Sequence, residues 1–274
     1  MIIKICAVLA LFTAVFVCLG NSFWWLPLYF IGSFLGYFLV AVLFCVIACA
    51  LVDTRKPVTK ESKFYRTILY PYAQLLMQLF LIDLQTRGLE NTPTNDRFLL
   101  VCNHQQFADP GILLHCFRKS QLTFISKQEN RKLPIINKFM HTIRCQFIDR
   151  NNNRQALTAI LECVRMIRAD EVSVGVFPEG YTSKTGKIRP FRSGVFKIAQ
   201  KTGVPIVVCT INGTRPLFHN VLRLKRTPVQ LHLVDVIPPE RYSGMSTRDI
   251  ASMVYEIMIA DLGEEFRAEA PREV

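Results

Sequence analysis

Two long apolar segments open the chain, separated by a short polar and aromatic stretch. Residues 2–19 and 28–52 contain a single charged residue, Lys4. At about 1.5 Å of rise per residue, each segment is long enough as a helix to cross most or all of the hydrocarbon core of a bilayer. The connecting stretch, NSFWWLP, carries two tryptophans of the kind found at membrane interfaces. The pattern predicts a transmembrane helical hairpin over residues 1–52.

A cluster of cations after the second segment sets the expected orientation of the hairpin. Its members are Arg55, Lys56, Lys60, Lys63 and Arg66. Because cations concentrate on the cytoplasmic side of membrane helices, both ends of the hairpin are predicted to face the cytoplasm from the cell (inner) membrane. A cleaved signal peptide is the alternative. The first segment, however, carries one amino-terminal charge, lacks a small-residue cleavage site near Gly20 and is followed by a second span.

Two weaker patterns lie within and after the second segment. Gly32 and Gly36 form a GxxxG, which permits close helix contact, and two incidental glycines are an equal alternative. Residues 53–83 are predicted to be a basic linker and an interfacial helix; the apolar and aromatic stretch 64–84 has few charges and contains Pro71. This stretch fits either an amphipathic helix at the membrane interface or a buried helix of the following domain.

Strand-like and helix-like patterns alternate from residue 84 onward. The candidate strands are short apolar or β-branched runs bounded by Gly, Pro, Asn or Asp. They are LQTRGL, RFLLVCN, QLTFIS, QFIDR, VSVGVFP, PIVVCTI and VQLHLVDVI. Helices are predicted over 109–117, 133–143, 154–169, 191–202 and 247–266. Residues 84–274 are therefore predicted to form an α/β domain, whose central, mostly parallel or mixed β-sheet is flanked by helices and carries functional residues at its strand ends.

Composition and charge narrow the class of partner. The net charge is +12, and only one of these positive charges lies in residues 1–52. A basic domain joined to an apolar anchor fits membrane lipids, a phosphorylated lipid or coenzyme A. Nucleic acid is the rival, but the chain has no paired zinc ligands, no basic helix with heptads and no aromatic RNA-binding strand. Nine cysteines without Cys-x-x-Cys spacing predict small core residues, and neither Cys nor His shows metal-ligand spacing.

His104 and Asp109 are the first candidates for chemistry. They lie in VCNHQQFADP, where a strand ends and a helix begins. Asp109 suits a helix N-cap and Pro110 the first helical position, so capping alone is one interpretation. The His-x4-Asp spacing can also bring a carboxylate to one imidazole nitrogen, which fixes the tautomer so that the other nitrogen accepts a proton. The spacing by itself leaves both interpretations open.

Two further strand ends carry candidate binding residues. Glu179 lies at the tip of a Gly-rich turn in VGVFPEGYTSKTG, an unusual place for an acid unless it binds a polar group. Asp149 and Arg150 end the strand in CQFIDRNNN, and an arginine there is suited to a bidentate grip on phosphate. A solvated surface pair of Asp149 and Arg150 is the alternative.

Four blocks of this sequence resemble a known family. NHQQFAD, FIDR, FPEG and VPIV, in this order, are similar to the motif blocks of the glycerolipid acyltransferases, most closely the 1-acylglycerol-3-phosphate (lysophosphatidic acid) acyltransferase family. The resemblance covers roughly residues 84–215. Lys127 also matches a lysine that commonly precedes the second block of that family.

The resemblance implies a role for each matching residue. His104 would take the proton from the acceptor hydroxyl and Asp109 would orient and stabilise it. Arg150 would hold the acceptor phosphate, and Glu179 and Gly180 would shape the same pocket. The acceptor hydroxyl would attack the thioester directly, which agrees with the absence of a G-x-S-x-G nucleophile elbow. No cofactor is implied, because acyl-CoA or acyl-carrier protein is a co-substrate.

The sequence departs from the family pattern in two places. Arg144 stands where the second block usually begins with glycine, and Tyr181-Thr182-Ser183 replaces Thr-Arg-Ser after FPEG. The second departure removes an arginine that contacts phosphate in the family. The charge could come instead from a nearby cation, or these cations could be a solvated face that meets anionic lipid. They are Lys184, Lys187, Arg189 and Arg192.

The predicted function is transfer of a fatty acyl chain to the 2-hydroxyl of 1-acylglycerol-3-phosphate, which forms phosphatidic acid in phospholipid biosynthesis. Another lysophospholipid acceptor is the alternative within the same chemistry. A catalytically idle lipid-binding protein is the alternative from a different class, and a lipid esterase is disfavoured because the nucleophile is missing.

Overall fold

A seven-stranded mixed sheet forms the centre of the domain. The computed structural model describes residues 1–56, 58–59, 61–149, 152–180, 183 and 185–268. Within them the strands are β1 (Ile82–Arg87), β2 (Leu99–Cys102), β3 (Leu122–Lys127), β4 (Gln146–Ile148), β5 (Ser173–Val176), β6 (Ile206–Asn212) and β7 (Thr227–Ile237). All seven correspond to the strands predicted from the apolar runs, and the predicted α/β fold is confirmed.

The helices surround this sheet and precede it. They are α1 (Ile2–Cys18), α2 (Leu26–Ala50), α3 (Lys63–Leu79), α4 (Asp109–Cys116), α5 (Ile136–Thr142), α6 (Asn153–Arg168), α7 (Lys197–Thr202), α8 (Leu217–Leu222), α9 (Pro239–Tyr242) and α10 (Thr247–Leu262). The short α8 and α9 carry too few residues to show a helical period, and the sequence did not predict them.

The strand order is β1-β7-β6-β2-β5-β3-β4. Neighbouring strands are parallel except β6 and β7, which are antiparallel. Five strands, β2 to β6, therefore run in one direction, and their carboxyl ends share one edge of the sheet. In open α/β sheets this edge is where ligands bind.

Two layers of helices cover the two faces of the sheet. Successive side chains of a strand point to opposite faces, so Leu100 packs with α3, α4 and α5, whereas Leu99 and Val101 pack with α6, α7 and α10. Phe117 and Phe196, both fully or almost fully buried, anchor the two layers. Eight of the nine cysteines are buried, in agreement with their prediction as small core residues.

The amino-terminal helices α1 and α2 form the predicted hairpin. Their contact uses Ala10 and Ala14, which are fully buried, and a hydrogen bond of 2.8 Å between Thr13 Oγ1 and the Tyr37 hydroxyl. A Cβ added at Gly32 or Gly36 would meet no atom within 4 Å, so the GxxxG does not bring the two helices together. Among the described residues one helix, Phe23–Ala50, is long and apolar enough to cross a membrane, and α1 is apolar but spans 17 residues. These features agree with membrane association.

Helix α3 joins the hairpin to the domain. The Tyr65 hydroxyl donates to the Ala48 carbonyl of α2 at 3.0 Å, and the Tyr72 hydroxyl donates to the Ala41 carbonyl. The Arg66 side chain is buried, pairs with Glu61 and donates to the Leu122 carbonyl of β3 at 2.8 Å. One cation of the predicted positive cluster is thus neutralised inside the domain, and another, Lys60, lies outside the described residues.

Several element boundaries differ from the prediction for local reasons. The helix predicted over 133–143 begins only at Ile136, after Pro134, and the one predicted over 191–202 starts as a 3₁₀ turn, Ser193–Phe196. The final helix ends at Leu262, because Gly263 adopts a φ of 107°. Its start is fixed by a capping box between Ser246 and Asp249.

Candidate active site

Asn103 fixes the end of β2 from which the site is built. Its side-chain amide donates to the Ile211 carbonyl at 2.9 Å, and its Oδ1 accepts from the Ile211 amide at 2.7 Å. The side chain thus extends the pairing between β2 and β6 by one step beyond the last backbone pair. Asn103 is buried, so both bonds are protected from water. Sequence analysis assigned no separate role to this residue, although it opens the first motif block.

His104 and Asp109 meet just beyond this strand end. His104 Nδ1 lies 2.9 Å from Asp109 Oδ2, and the Asp109 side chain is completely buried. The same oxygen accepts hydrogen bonds from the backbone N–H groups of Gln105 and Gln106, both at 2.7 Å. The carboxylate therefore holds the loop and the imidazole together, and a Nδ1–H that points at it leaves Nε2 able to accept a proton.

This geometry corrects the capping interpretation of Asp109. The helix begins at Asp109 itself, and the residue in the N-cap position is Ala108. An N-cap side chain accepts from N–H groups one turn further along the chain, whereas Asp109 Oδ2 accepts from residues that precede it. Pro110 occupies the first turn, where its missing N–H costs nothing. The buried carboxylate serves the histidine and its loop.

Aromatic packing sets the plane of the His104 ring. The ring stacks on Phe177 with centroids 4.3 Å apart, and Phe177 stacks in turn on Phe124 at 5.9 Å. Gly175 makes room for this column, because a Cβ at that position would lie 2.5 Å from the Phe124 ring. The His104 side chain is 18% exposed, so one edge of the ring remains accessible.

Glu179 lies beneath the loop that carries His104. Its carboxylate accepts from the His104 backbone N–H at 2.8 Å and from the Arg189 backbone N–H at 3.3 Å. Burial raises the pKa of Glu179 to about 7, although both N–H donors act in the opposite direction. Glu179 is buried and accepts from the backbone of two loops, one carrying His104 and the other Arg189. We infer from these contacts that Glu179 holds the two loops together.

Gly180 and three of the four candidate cations lie in the segment that follows Glu179. Gly180 has a φ of +72°, and a Cβ there would lie 3.1 Å from Arg192 Nε. Arg189 and Arg192 are exposed and Lys187 is half-buried, and all three make contacts with other residues. The Ser183 backbone N–H donates to the His104 carbonyl at 2.9 Å, which ties this loop to the first motif block. Lys184 lies outside the described residues.

The remaining candidates lie farther along the sheet edge. Lys127 is exposed at the end of β3, two strands away from β2, which corresponds to about 10 Å at the usual strand spacing. Asp149 follows β4 and makes contacts of its own, and Arg150 lies outside the described residues. The structure therefore brings together His104, Asp109, Glu179 and Gly180. The roles of Lys127 and Arg150 stay predictions.

A second histidine–carboxylate pair lies on the other face of the sheet. His232 Nδ1 on β7 is 2.6 Å from Asp261 Oδ1 on α10, and Asp261 Oδ2 accepts from the Thr210 hydroxyl. The two residues are separated by 29 positions, so no local motif could predict the pair. Among the described residues, no group of three or more His, Cys, Asp or Glu side chains could hold a metal ion.

Comparisons with known proteins agree with the four motif blocks. Residues 83–212 match the family model described as Acyltransferase. The chain is 38% identical over 218 residues to a probable 1-acyl-sn-glycerol-3-phosphate acyltransferase of Mycoplasma pneumoniae, covering 75% of this chain and 79% of that protein. It is 28% identical over 172 residues to a 1-acyl-sn-glycerol-3-phosphate acyltransferase of Cocos nucifera, covering 62% of this chain.

A solved structure shares the fold over most of its length. The crystal structure of the 1-acyl-sn-glycerophosphate (LPA) acyltransferase of Thermotoga maritima superposes with a TM-score of 0.63 at 25% identity, covering 86% of this chain and 95% of that one. The chain spans only about half the length of some relatives, 56% for the Cocos nucifera protein and 52% for a second plant protein. With 38% identity to a bacterial relative of which it spans 79%, the chain belongs to the acyltransferase family that includes the 1-acyl-sn-glycerol-3-phosphate acyltransferases.

Proposed function

We propose that this protein transfers a fatty acyl group from a thioester, acyl-CoA or acyl-carrier protein, to the 2-hydroxyl of 1-acylglycerol-3-phosphate and so forms phosphatidic acid. The observation that carries the proposal is the contact of 2.9 Å between His104 Nδ1 and the buried Asp109 carboxylate. It leaves His104 Nε2 as a proton acceptor at the sheet edge where ligands bind. The relatives named above support the choice of acceptor.

The reaction needs no nucleophile from the protein. His104 Nε2 takes the proton of the acceptor hydroxyl as its oxygen bonds to the acyl carbon. Asp109 stabilises the imidazolium that forms, because its charge lies against Nδ1. The carbon–sulfur bond then breaks, and the thiolate leaves and receives the proton from Nε2. The products are the ester and the free thiol, so atoms and charge balance.

We further propose that Arg150 holds the acceptor phosphate and that Lys127 lines the same groove. The lysolipid would then lie along the edge formed by β2, β5, β3 and β4. The hairpin would anchor the domain on the cytoplasmic side of the cell (inner) membrane, where thioester donors are found. A different lysophospholipid head group is the second candidate, because the arginine expected after FPEG is replaced here by Thr182.

The test is acyl transfer from each donor type to a panel of lysolipids with purified protein in lipid vesicles. His104→Ala should lower kcat by about 10²-fold to 10⁴-fold, as expected for the loss of a general base. His232→Ala is the matched control, because it removes a histidine with the same Nδ1–carboxylate contact on the other face of the sheet. Thermal unfolding checks that both variants are folded.

Three results would contradict the proposed reaction, and a fourth would change its acceptor. Unchanged turnover in His104→Ala would remove His104 as the base, and an equal loss in both variants would point to a structural effect. Absence of transfer to any lysolipid by the unaltered protein would favour a lipid-binding protein without catalysis. Preference for another head group would keep the reaction and change the acceptor.

A further inference from the structure

A cluster of three aromatic rings borders the candidate active site. Phe80, Phe107 and Phe218 contact one another with centroid distances of 5.0 to 5.7 Å. Phe107 is 44% exposed and Phe218 is 51% exposed, so the cluster is open to the surroundings. Phe107 belongs to the loop between His104 and Asp109, which places the cluster at the rim of the site.

Two leucines next to this cluster are almost fully exposed. Leu222, which ends α8, and Leu224, just after it, each expose 85% of their surface. Leu224 has a φ of +52°, a conformation that is unfavourable for a bulky residue. Backbone hydrogen bonds from Leu224 to Val221 and from Lys225 to Asn220 hold this turn in place. A strained turn that displays two leucines indicates a function outside the fold itself.

Cations alternate with these leucines. Arg223, Lys225 and Arg226 are all exposed, and residues 213–228 contain no Asp or Glu. We call Phe107, Phe218, Leu222 and Leu224 the α8 patch. Apolar side chains between cations are typical of segments that lie in the interface of an anionic membrane. A cluster of this size that includes aromatic rings is also larger than the single exposed leucines of ordinary protein surfaces.

The α8 patch lies on the side of the domain toward which the hairpin extends. Tyr65 and Tyr72 of α3 bond to Ala48 and Ala41 of α2, so the two helices are antiparallel. Following α3 toward Phe80 therefore leads toward the connection between α1 and α2. Leu76 and Leu79, on the last turn of α3, are exposed and lie along this path. Phe80, which follows α3 directly, contacts Phe107 and Phe218, so the end of α3 connects the hairpin side of the domain with the α8 patch.

We propose that the α8 patch is a second membrane-contact element of this protein. Its four apolar side chains enter the acyl region of the bilayer, and Arg223, Lys225 and Arg226 meet anionic head groups. The patch then holds the rim of the site against the membrane, so that a lipid substrate reaches His104 without leaving the bilayer. Only this last consequence rests on the proposed function.

Quenching of tryptophan fluorescence by brominated lipids measures how deeply a side chain enters the membrane. It therefore tests the proposal without an activity assay. The protein has two tryptophans, Trp24 and Trp25, and replacing both with Phe gives a background free of tryptophan. In this background Leu222→Trp, reconstituted in vesicles that contain brominated and anionic phospholipids, should lose about half or more of its fluorescence, because interfacial side chains insert about 5–10 Å. Leu161→Trp is the control, since Leu161 is 44% exposed on α6 at the opposite face of the sheet. Equal, weak quenching at both positions would overturn the proposal.

Activity provides a second measurement. The double variant Leu222→Ser with Leu224→Ser should lower kcat/KM about tenfold or more for long-chain lysolipid in vesicles, while the value for a short-chain, water-soluble lysolipid changes less than about twofold. Leu161→Ser should affect neither substrate. Equal loss on both substrates would show damage to the site and contradict the proposal. If the unaltered protein acylates neither substrate, the proposed function fails, and the quenching result alone decides on the patch.

Discussion

Glu179 is a buried acid of the site whose surroundings shift its pKa strongly. The side chain is 3% exposed, and burial raises its pKa to about 7 from an ordinary value of 4.5. A carboxyl group whose pKa is higher in the folded protein binds its proton more tightly there. The stability that this provides is complete below pH 4.5 and is lost as the pH rises to about 7.

The free energy of unfolding should therefore depend on pH through Glu179. Between pH 4.5 and pH 7.5 the protein should lose about 3 kcal/mol relative to Glu179→Gln, whose side chain does not titrate. Denaturant unfolding in detergent at several pH values measures this difference, and the other groups cancel because both proteins contain them. A constant difference between the protein and Glu179→Gln would mean that the buried carboxyl group titrates normally.

Arg144 occupies a backbone conformation that suits glycine. Its φ is +61°, and its buried side chain bonds to Glu171 and, at 3.0 Å, to Glu162. The second motif block usually begins with glycine at this position, and the positive φ gives the physical reason. Two ion pairs to carboxylates that are each about one-third exposed offset the strain in this protein.

Two substitutions at Arg144 should separate the contribution of backbone strain to the free energy of unfolding from that of the ion pairs. Arg144→Ala loses both pairs and keeps the positive φ, so it should lower the free energy of unfolding by about 1–3 kcal/mol, since water can solvate the remaining acids. Arg144→Gly loses the same pairs but relieves the backbone, and it should be about 1 kcal/mol more stable than Arg144→Ala. Denaturant unfolding of both variants measures this. Equal stability of the two would show that the backbone is not strained.

At the scale of elements, the hairpin is a part of the chain that the α/β domain leaves largely uncovered. Much of α1 and α2 consists of exposed large apolar side chains, and Trp24 in the connection is 92% exposed. An exposed apolar surface of this size in water would be unfavourable, whereas lipid would cover it. Helix α3 fixes where the hairpin begins relative to the sheet, because its tyrosines bond to the carbonyls of α2.

The topology of the hairpin can be tested with introduced thiols. In a variant freed of other reactive cysteines, Asn21→Cys or Ser22→Cys should react with an impermeant thiol reagent added outside intact cells, and Thr59→Cys should not. All three positions are exposed in the structure. Labelling of Thr59→Cys from outside would reverse the orientation. Labelling at none of them would mean that the hairpin enters one leaflet and returns to the same side.

At the scale of the whole molecule, sheet topology assembles the site. The sequence identified His104 and Asp109 in one motif block and Glu179 and Gly180 in another. The strands that precede these blocks, β2 and β5, are parallel neighbours and bring the two blocks together. Lys127 ends β3, two strands away from β2 along the same edge, so the topology does not bring it to His104. Asn103 and Phe177 were missed as positioning residues because their partners, Ile211 and His104, are distant in sequence.

The sequence alone determined the apolar hairpin, the seven strands, the His-x4-Asp pair and the family resemblance, because each depends on local periodicity or on residues close together in the chain. Only the tertiary structure decided that Asp109 bonds backward to His104, that Glu179 is buried beneath it and that Arg144 adopts a positive φ. The contacts of Glu179 and Arg144 join segments far apart in the chain, which residue patterns do not encode. The direction of the Asp109 hydrogen bonds is local, but it depends on the course of a loop that the spacing alone left open. The α8 patch is also visible only in the tertiary structure, because whether an apolar residue is exposed depends on how the rest of the chain packs.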